Sequence, residues 1–339
     1  MRAVVFTEPG PSSVMRVVER DLPEPGPGEV RVRLVRSGVN PTDWKRRQNP
    51  LDHDEVTPGQ DGAGYVDAVG EGVGEGVDGL AVGDRVWVVL AQRERAHGTA
   101  AEHTVQSADH VVPLPDGASF DLGASLGVPA VTAHRALTSA DLGPSRLGPG
   151  TMDGLTVLVA GGAGAVGNAA VQLAAWSGAT VVTTVSSPEK AALATAAGAH
   201  HVVNYRDSDA EAAIRAVAPD GVDLVVEVAP AQNNDLDNAV TKVHGTIAIY
   251  ANNGGDELTL PLRATFSKNL RYQFLILYTL DDRFLRAAVE DVSEAVRAGA
   301  LRVGEEAGVP LHHFPLEEAA AAHDAVEAGV VGKVLLDIS

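Results

Sequence analysis

The chain has 339 residues, no cysteine, 45% hydrophobic residues and a formal net charge of −19, from 26 basic and 45 acidic side chains. The missing thiol excludes disulfides, thiolate nucleophiles and zinc sites built on sulfur. The acidic balance disfavours nucleic acid and anionic membranes as partners, because the overall field repels phosphate, and the length predicts about two domains.

At the N-terminus only Ala3, Val4, Val5 and Phe6 precede an acid and a turn, too short a run for a signal-peptide core, so a cytoplasmic protein is expected. In residues 29–35 every second residue is apolar, the period of a half-buried strand. Close turn signals follow at 23–28, 58–59, 70–79 and 82–86, and the first third reads as an irregular, barrel-like β domain. The stretch 154–188 carries no charge and is long enough to span a bilayer, but its glycines, Asn168, Gln172 and threonines predict a buried strand, loop, helix and strand.

From about residue 126 strands alternate with helices. Residues 155–160 read as strand, and Val166, Ala169, Ala170, Leu173 and Ala174 fall at helical spacing. Residues 180–185 are strand; 188–197 are a helix started by Ser187 and stopped by Gly198; 201–205, 222–228 and 246–250 continue the series. Such alternation predicts a doubly wound parallel sheet, an α/β fold. Residues 271–278 form an apolar strand expected at the sheet edge, where either a twofold mate or the chain itself covers it. An amphipathic helix at 281–298 follows. The tail, a helix from 314 and a strand at 333–338, is expected to return to the first domain.

After the 155–160 strand, Gly162, Gly164 and Gly167 satisfy G-x-G-x-x-G. Gly162 is expected to allow a tight turn, Gly164 the approach of a pyrophosphate, and Gly167 close helix packing. The amides at the helix start, around Ala165 and Val166, then face the anion. The second strand ends at Val185-Ser186-Ser187-Pro188 with no acid at its tip, so nothing there repels a 2′-phosphate. Lys190, one of five lysines, follows within a helical turn, and Tyr205 and Arg206 end the next strand. The pattern predicts NADPH as cofactor; the competing reading of Lys190 is a solvated lysine at a helix start.

The chain resembles the medium-chain dehydrogenase/reductase superfamily, most closely its zeta-crystallin-like NADPH:quinone oxidoreductases. The resemblance rests on Gly38-Val39-Asn40-Pro41-Thr42-Asp43, Pro58-Gly59-Gln60-Asp61-Gly62-Ala63-Gly64, Val82-Gly83-Asp84-Arg85-Val86 and Gly127-Val128-Pro129-Ala130-Val131-Thr132-Ala133. The glycine loop, Ala197-Gly198-Ala199, Asn204-Tyr205-Arg206 and Gly332-Lys333 complete it. It implies a GroES-like β-barrel catalytic domain from residues 1–125 and 279–339, and a Rossmann NADP-binding domain from 126–278. It also implies polar contacts to the nicotinamide and its ribose from Asn40 and Thr132, and cofactor contacts from Tyr250, Asn252 and Lys333. Their competing readings are a turn asparagine, a capping threonine and a surface lysine.

In the zinc alcohol dehydrogenases of the superfamily the metal is held by Cys and by a Gly-His-Glu motif; the matching positions here are Asn40 and Gly59-Gln60-Asp61, so no metal site is expected. The acidic loop around His53 reads as solvated. Hydride transfer to a simple ketone makes an alkoxide whose conjugate acid has a pKa near ~16, as for water. Transfer to a quinone makes a phenolate with a pKa near ~10, which lightens the charge stabilisation asked of the site by about 8 kcal/mol. A zinc-independent hydride transfer from NADPH to a quinone or similar conjugated carbonyl fits; simple alcohol oxidation does not. The alternatives are an enoyl-thioester or 2-alkenal reductase, and a low-turnover NADPH-binding protein of crystallin type used structurally or on RNA. Many quinone reductases of this type carry a substrate-facing Tyr where Lys45 stands here, and for the enoyl-thioester alternative Lys45 or a water is the candidate acid. Lys45, Arg46 and Arg47 attract an anionic substrate or form a solvated helix face, the latter favoured. A homodimer through the 271–278 edge strand is expected.

Overall fold

The computed structural model describes residues 1–73 and 79–338. The turn expected at 70–79 falls over 74–78 outside the described residues, as does Ser339. The chain divides into two compact units, Met1–Val128 with Leu311–Ser339, and Pro129–Pro310.

The first unit is built on a seven-stranded sheet. Its order is Leu311–Pro315, Lys333–Asp337, Glu29–Val39, Asp61–Val69, Arg85–Val88 and Val111–Pro113, with His103–Ser107 also pairing with Glu29–Val39. Val30, Val32 and Leu34 are buried at the expected period of two, and Glu29–Val39 extends four residues beyond the predicted run. Two register shifts against Asp61–Val69 interrupt its ladder, and such irregularities bend a strand. The tail returns as expected: Val334 pairs with Val39 and Leu336 with Ser37, antiparallel. That pairing brings Lys333 beside Gly38 and Asn40, which no local pattern encodes. Phe314, expected in a helix, lies in the strand Leu311–Pro315, and the helix runs over Ala319–Glu327.

The second unit holds six parallel strands: β1 Thr156–Ala160, β2 Thr180–Val185, β3 His201–Asn204, β4 Val222–Glu227, β5 Thr241–Ile249 and β6 Arg271–Phe274. Their order is β3-β2-β1-β4-β5-β6. Val157, Leu158 and Val159 are buried as a continuous run, as a parallel strand covered on both faces requires. The order reverses between β1 and β4, and in such sheets ligands bind outside the carboxyl ends of the strands at this switch point. The uncharged stretch 154–188 spans β1, the helix Ala165–Trp176 and β2; among the described residues no helix is long and apolar enough to cross a membrane.

Two expectations need correction. The segment 279–310 belongs to the second unit, not to the domain made of the chain ends. The helix Asp282–Arg297 buries Leu285, Ala288, Val292 and Ala295, and its Asp291 carboxylate accepts hydrogen bonds from Arg146 and from the Leu147 N–H at 2.7 Å. Amphipathic spacing shows that a helix has an apolar stripe but not which core receives it. Of the expected strand 271–278 only Arg271–Phe274 is strand; the Leu275 N–H still donates to the Ile249 carbonyl at 2.9 Å, and Leu277–Thr279 then turns into a short 3₁₀ segment. β6 is the sheet edge, as expected.

Candidate functional site

In the second unit, β1 runs into a loop and then the helix Ala165–Trp176, whose N-cap is Gly164 with no side-chain cap. The first turn of a helix leaves amides without intrahelical partners, so this end suits an anion. The three glycines divide their work differently from the sequence expectation. The left-handed turn is made by Gly161, at φ +71°. Gly162 is required by packing, since a Cβ there would lie 2.2 Å from Thr183 Oγ1. A Cβ on Gly167 would lie 2.3 Å from the Gly161 carbonyl oxygen, the close approach expected. At Gly164 a Cβ would meet nothing nearer than the Gly161 oxygen at 3.5 Å, so this face of the loop is open. The cradle fits a dinucleotide pyrophosphate, with Ala165 and Val166 opening the helix.

At the tip of β2, Ser187 caps the helix Pro188–Ala196 by accepting the Lys190 N–H at 3.3 Å, and the Lys190 ammonium donates to Ser186 Oγ at 3.1 Å. Serine hydroxyl and ammonium thus converge one helical turn past the strand. The Tyr205 side chain is 50% exposed after β3, with Arg206 next to it. One neighbour was missed from sequence: Glu189, whose carboxyl is held low by a hydrogen bond with Ser187 and by the helix-start backbone.

Beyond β5, Tyr250 donates its N–H to the Glu227 carbonyl at 3.1 Å; its phenol is pushed up by burial and by the Glu227 carboxylate. Asn252 is exposed and donates to Asp256 Oδ1 at 2.5 Å. Thr132 is buried in the helix Gly127–Leu137. Glu227 and Asp237, also missed from sequence, are two buried carboxyls facing each other, both pushed up by burial, Asp237 well above its ordinary value with Glu227 adding to the rise.

The first unit holds a second constellation. Asn40 Nδ2 donates to Asp61 Oδ2 at 2.8 Å, and the Lys333 ammonium donates to Asn40 Oδ1 at 2.7 Å and lies 3.4 Å from Asp61 Oδ2. Asp61 Oδ1 accepts the Val128 N–H at 2.8 Å, and the Asn40 N–H donates to Asp43 Oδ2 at 2.7 Å. Lys333 is 2% exposed and Asp61 0%, so Lys333 is no surface lysine. Burial pushes the Asp43 carboxyl up to about 7 against the Asn40 hydrogen bond, and Asp61 adds to the rise. Gly38 and Gly127 make the room: a Cβ on Gly38 would lie 2.9 Å from Lys333 Nζ, and one on Gly127 2.1 Å from Asp61 Oδ1. Asp61 stood in the sequence as a vanished zinc position; its role as an ion partner needed Lys333 brought from 272 residues away.

The basic trio is not a uniformly solvated face. Arg47 is fully buried and donates to the Gly10 carbonyl at 2.9 Å, Arg46 pairs with Asp52 at 2.9 Å, and the half-buried Lys45 has its ammonium 5.8 Å from the Trp44 ring centroid. The zinc-position residues do not fit a metal. Asn40 and Asp61 are engaged with an ammonium, and Gln60 pairs with Gln92, accepting its N–H at 3.1 Å. Among the described residues no group of three His, Cys, Asp or Glu is arranged to hold one.

A parallel sheet of this order, with a glycine loop after its first strand and a mainly antiparallel unit from the two chain ends, defines a dinucleotide-dependent dehydrogenase or reductase. Residues 26–116 match the family model described as alcohol dehydrogenase GroES-like domain, and residues 165–296 the one described as zinc-binding dehydrogenase. The rat quinone oxidoreductase is 30% identical over 99% of this chain and 97% of its own. Among solved structures, a mycobacterial protein complexed with NADPH is 28% identical, with a TM-score of 0.82 and 99% of both chains covered. One described as an NAD-dependent alcohol dehydrogenase is 31% identical, with a TM-score of 0.83 and all of both chains covered. The chain belongs to the zeta-crystallin-like quinone oxidoreductases of the medium-chain dehydrogenase/reductase superfamily. The zinc in one family description does not extend to the residues this chain carries.

Proposed function

We propose that the chain is a zinc-independent, NADPH-dependent quinone reductase. The observation that carries this reading is the Lys333 ammonium, held by Asn40 and Asp61 at the positions where zinc dehydrogenases keep ligands. A site without a Lewis acid there suits an acceptor whose reduced form bears its own charge as a phenolate, and a quinone does. Gly162, Gly164, Ala165, Val166 and Gly167 hold the pyrophosphate; Ser186 and Lys190, with Tyr205 alongside, take the 2′-phosphate; Tyr250 and Asn252 border the nicotinamide half, as Thr132 does.

Bound NADPH supplies a hydride. The protein's part is to orient it and to exclude competing reactions. One proton completes the conversion of quinone to hydroquinone, and Lys45 or water delivers it. We further infer a cytoplasmic homodimer that pairs through β6, the sheet edge, where Phe274 is 60% exposed and Ile276, two residues past the strand, 59%.

The test is steady-state turnover with NADPH and NADH against quinones, enones, enoyl thioesters and simple alcohols. The expected result is quinone reduction with NADPH favoured at least about tenfold in kcat/KM, the discrimination that one charge-assisted contact supplies. Equal efficiency with NADH, or zinc-stimulated alcohol oxidation, overturns the proposal. For the dimer, light scattering of Phe274→Lys should give half the wild-type mass.

A further inference from the structure

We propose that Asp61 and Lys333 are positioning residues that lock the Asn40 carboxamide, so that Asn40 offers a ligand a hydrogen-bond donor and never an acceptor. The proposal rests on the quinone-reductase reading and on the contact at the nicotinamide that the family resemblance implies for Asn40.

An ammonium has three donors and no acceptor, and an ionised carboxylate has only acceptors. Asn40 Oδ1 lies 2.7 Å from Lys333 Nζ, and Nδ2 lies 2.8 Å from Asp61 Oδ2. Reversing the amide would set its NH₂ against the ammonium and its oxygen against the carboxylate. Both contacts would be repulsive, so the chemistry of the two neighbours fixes the orientation. Both ions are buried, and no bulk water relaxes the arrangement, which strengthens each contact.

The rest of the network holds the frame. Asp61 is pinned through Oδ1 by the Val128 N–H, and the Asn40 backbone is pinned by Asp43. Gly38 and Gly127 leave the space that Lys333 and Asp61 occupy. Stability is a weak reason for such a pair, because well-packed apolar residues often do as well as a buried ion pair.

With Oδ1 engaged and one N–H given to Asp61, the second Nδ2 hydrogen is what remains for a ligand. It suits a carbonyl oxygen, and suits better the oxyanion that forms when that carbonyl is reduced. An alcohol hydroxyl, which must give up a proton, finds no acceptor in Asn40. Two ligand oxygens share the required chemistry: that of the quinone and that of the nicotinamide carboxamide.

The test combines a spectrum with kinetics. In protein labelled with ¹⁵N at asparagine, the Asn40 side-chain signal, identified by its loss in Asn40→Ala, should show two well-separated protons without any cofactor. It should collapse toward a free amide in Lys333→Met and persist in Lys333→Arg. With NADPH and a benzoquinone, Asn40→Ala should lower kcat about 100-fold, as loss of one donor to a developing oxyanion does. Lys333→Met should lower kcat about tenfold or more, and the double variant no more than about twofold below Asn40→Ala, because residues that act through one another are not additive.

An Asn40 signal unaffected by Lys333→Met, or fully additive losses, overturns the positioning role. Wild-type turnover in Asn40→Ala overturns the donor role and the reading beneath it, while the spectrum still reports the lock. If Lys333→Met does not fold, Asp61→Asn against Lys333→Arg gives the same contrast. An unchanged NADPH Kd in Asn40→Ala assigns the donor to the quinone oxygen, and a Kd weakened about tenfold assigns it to the nicotinamide carboxamide.

Discussion

Thr183 closes the space above Gly162: a Cβ on Gly162 would lie 2.2 Å from Thr183 Oγ1, whose hydroxyl donates to the Val159 carbonyl at 2.7 Å. The loop's second glycine is therefore held by the neighbouring strand rather than by its own backbone angles. Gly162→Ala should cost about 1–3 kcal/mol, the range for overpacking a filled site. Gly164→Ala, with open space around its Cβ, should keep the wild-type Tm and bind NADPH at least about tenfold more weakly, if a pyrophosphate approaches there. Thermal unfolding paired with fluorescence titration separates the two, and an unaltered affinity in Gly164→Ala would mean that the pyrophosphate lies elsewhere.

Lys190 and Ser186 supply the second prediction. Removing a cation that meets a phosphate costs about 1.5–3 kcal/mol, roughly 10- to 100-fold in affinity. Lys190→Ala should raise the NADPH Kd by that factor and leave the NADH Kd unchanged. Parallel losses for both nucleotides would show that Lys190 serves the helix instead. Glu189→Gln, which removes the acid beside it, should tighten NADPH modestly and most at low salt.

Asp291 joins three segments of the second unit: His134 Nε2 at 2.7 Å, Arg146 at 2.6 and 2.8 Å, and the Leu147 N–H at 2.7 Å. Burial works to raise its carboxyl, but the hydrogen bonds from His134, Arg146 and Leu147 outweigh it and hold the group at about 2. A carboxyl lowered on folding contributes stability above its ordinary pKa, and loses it as pH falls through the folded value. Asp291→Ala should cost about 3 kcal/mol at neutral pH, from the unsatisfied groups left behind. The gap to wild type should narrow from pH 4 toward pH 2 in acid unfolding; a gap independent of pH would assign the loss to packing alone.

Asp237 has the opposite sign. Its carboxyl is raised by burial and by Glu227, and one oxygen of each acid, Asp237 Oδ2 and Glu227 Oε2, lacks a hydrogen-bond donor; a proton shared between them satisfies both. An acid raised on folding holds its proton longer in the native state, so stability falls as pH rises from the ordinary carboxylate value toward the folded one. Asp237→Asn should match wild type near pH 4 and become the more stable protein as pH rises toward neutrality. A Tm difference constant across that range would refute the shared proton.

Much of the fold was legible because its signals are local. Period-two burial in Glu29–Val39, the apolar run of β1, the Ser187 cap and the Gly198 stop each depend on residues within one turn or strand. The glycine loop was legible by position, between a strand and a helix, yet its inner division of labour was not: that Gly161 turns the chain while Gly162 yields to Thr183 depends on a side chain twenty-one residues away. Glu189 gives no such positional signal, because it stands inside the helix start rather than at the strand tip.

The sequence by itself determined two domains, a nucleotide-binding sheet and a phosphate-receptive loop, since composition, hydrophobic period and glycine placement act over short stretches, and its family resemblance implied the loss of zinc ligands. Only the tertiary structure decided what replaced the ligands, where the helix Asp282–Arg297 belongs, and that Arg47 and Lys333 are interior cations. Each of these depends on a partner far along the chain, Asp61 for Lys333 and His134 for Asp291. A buried charge is stable only where folding delivers its partner.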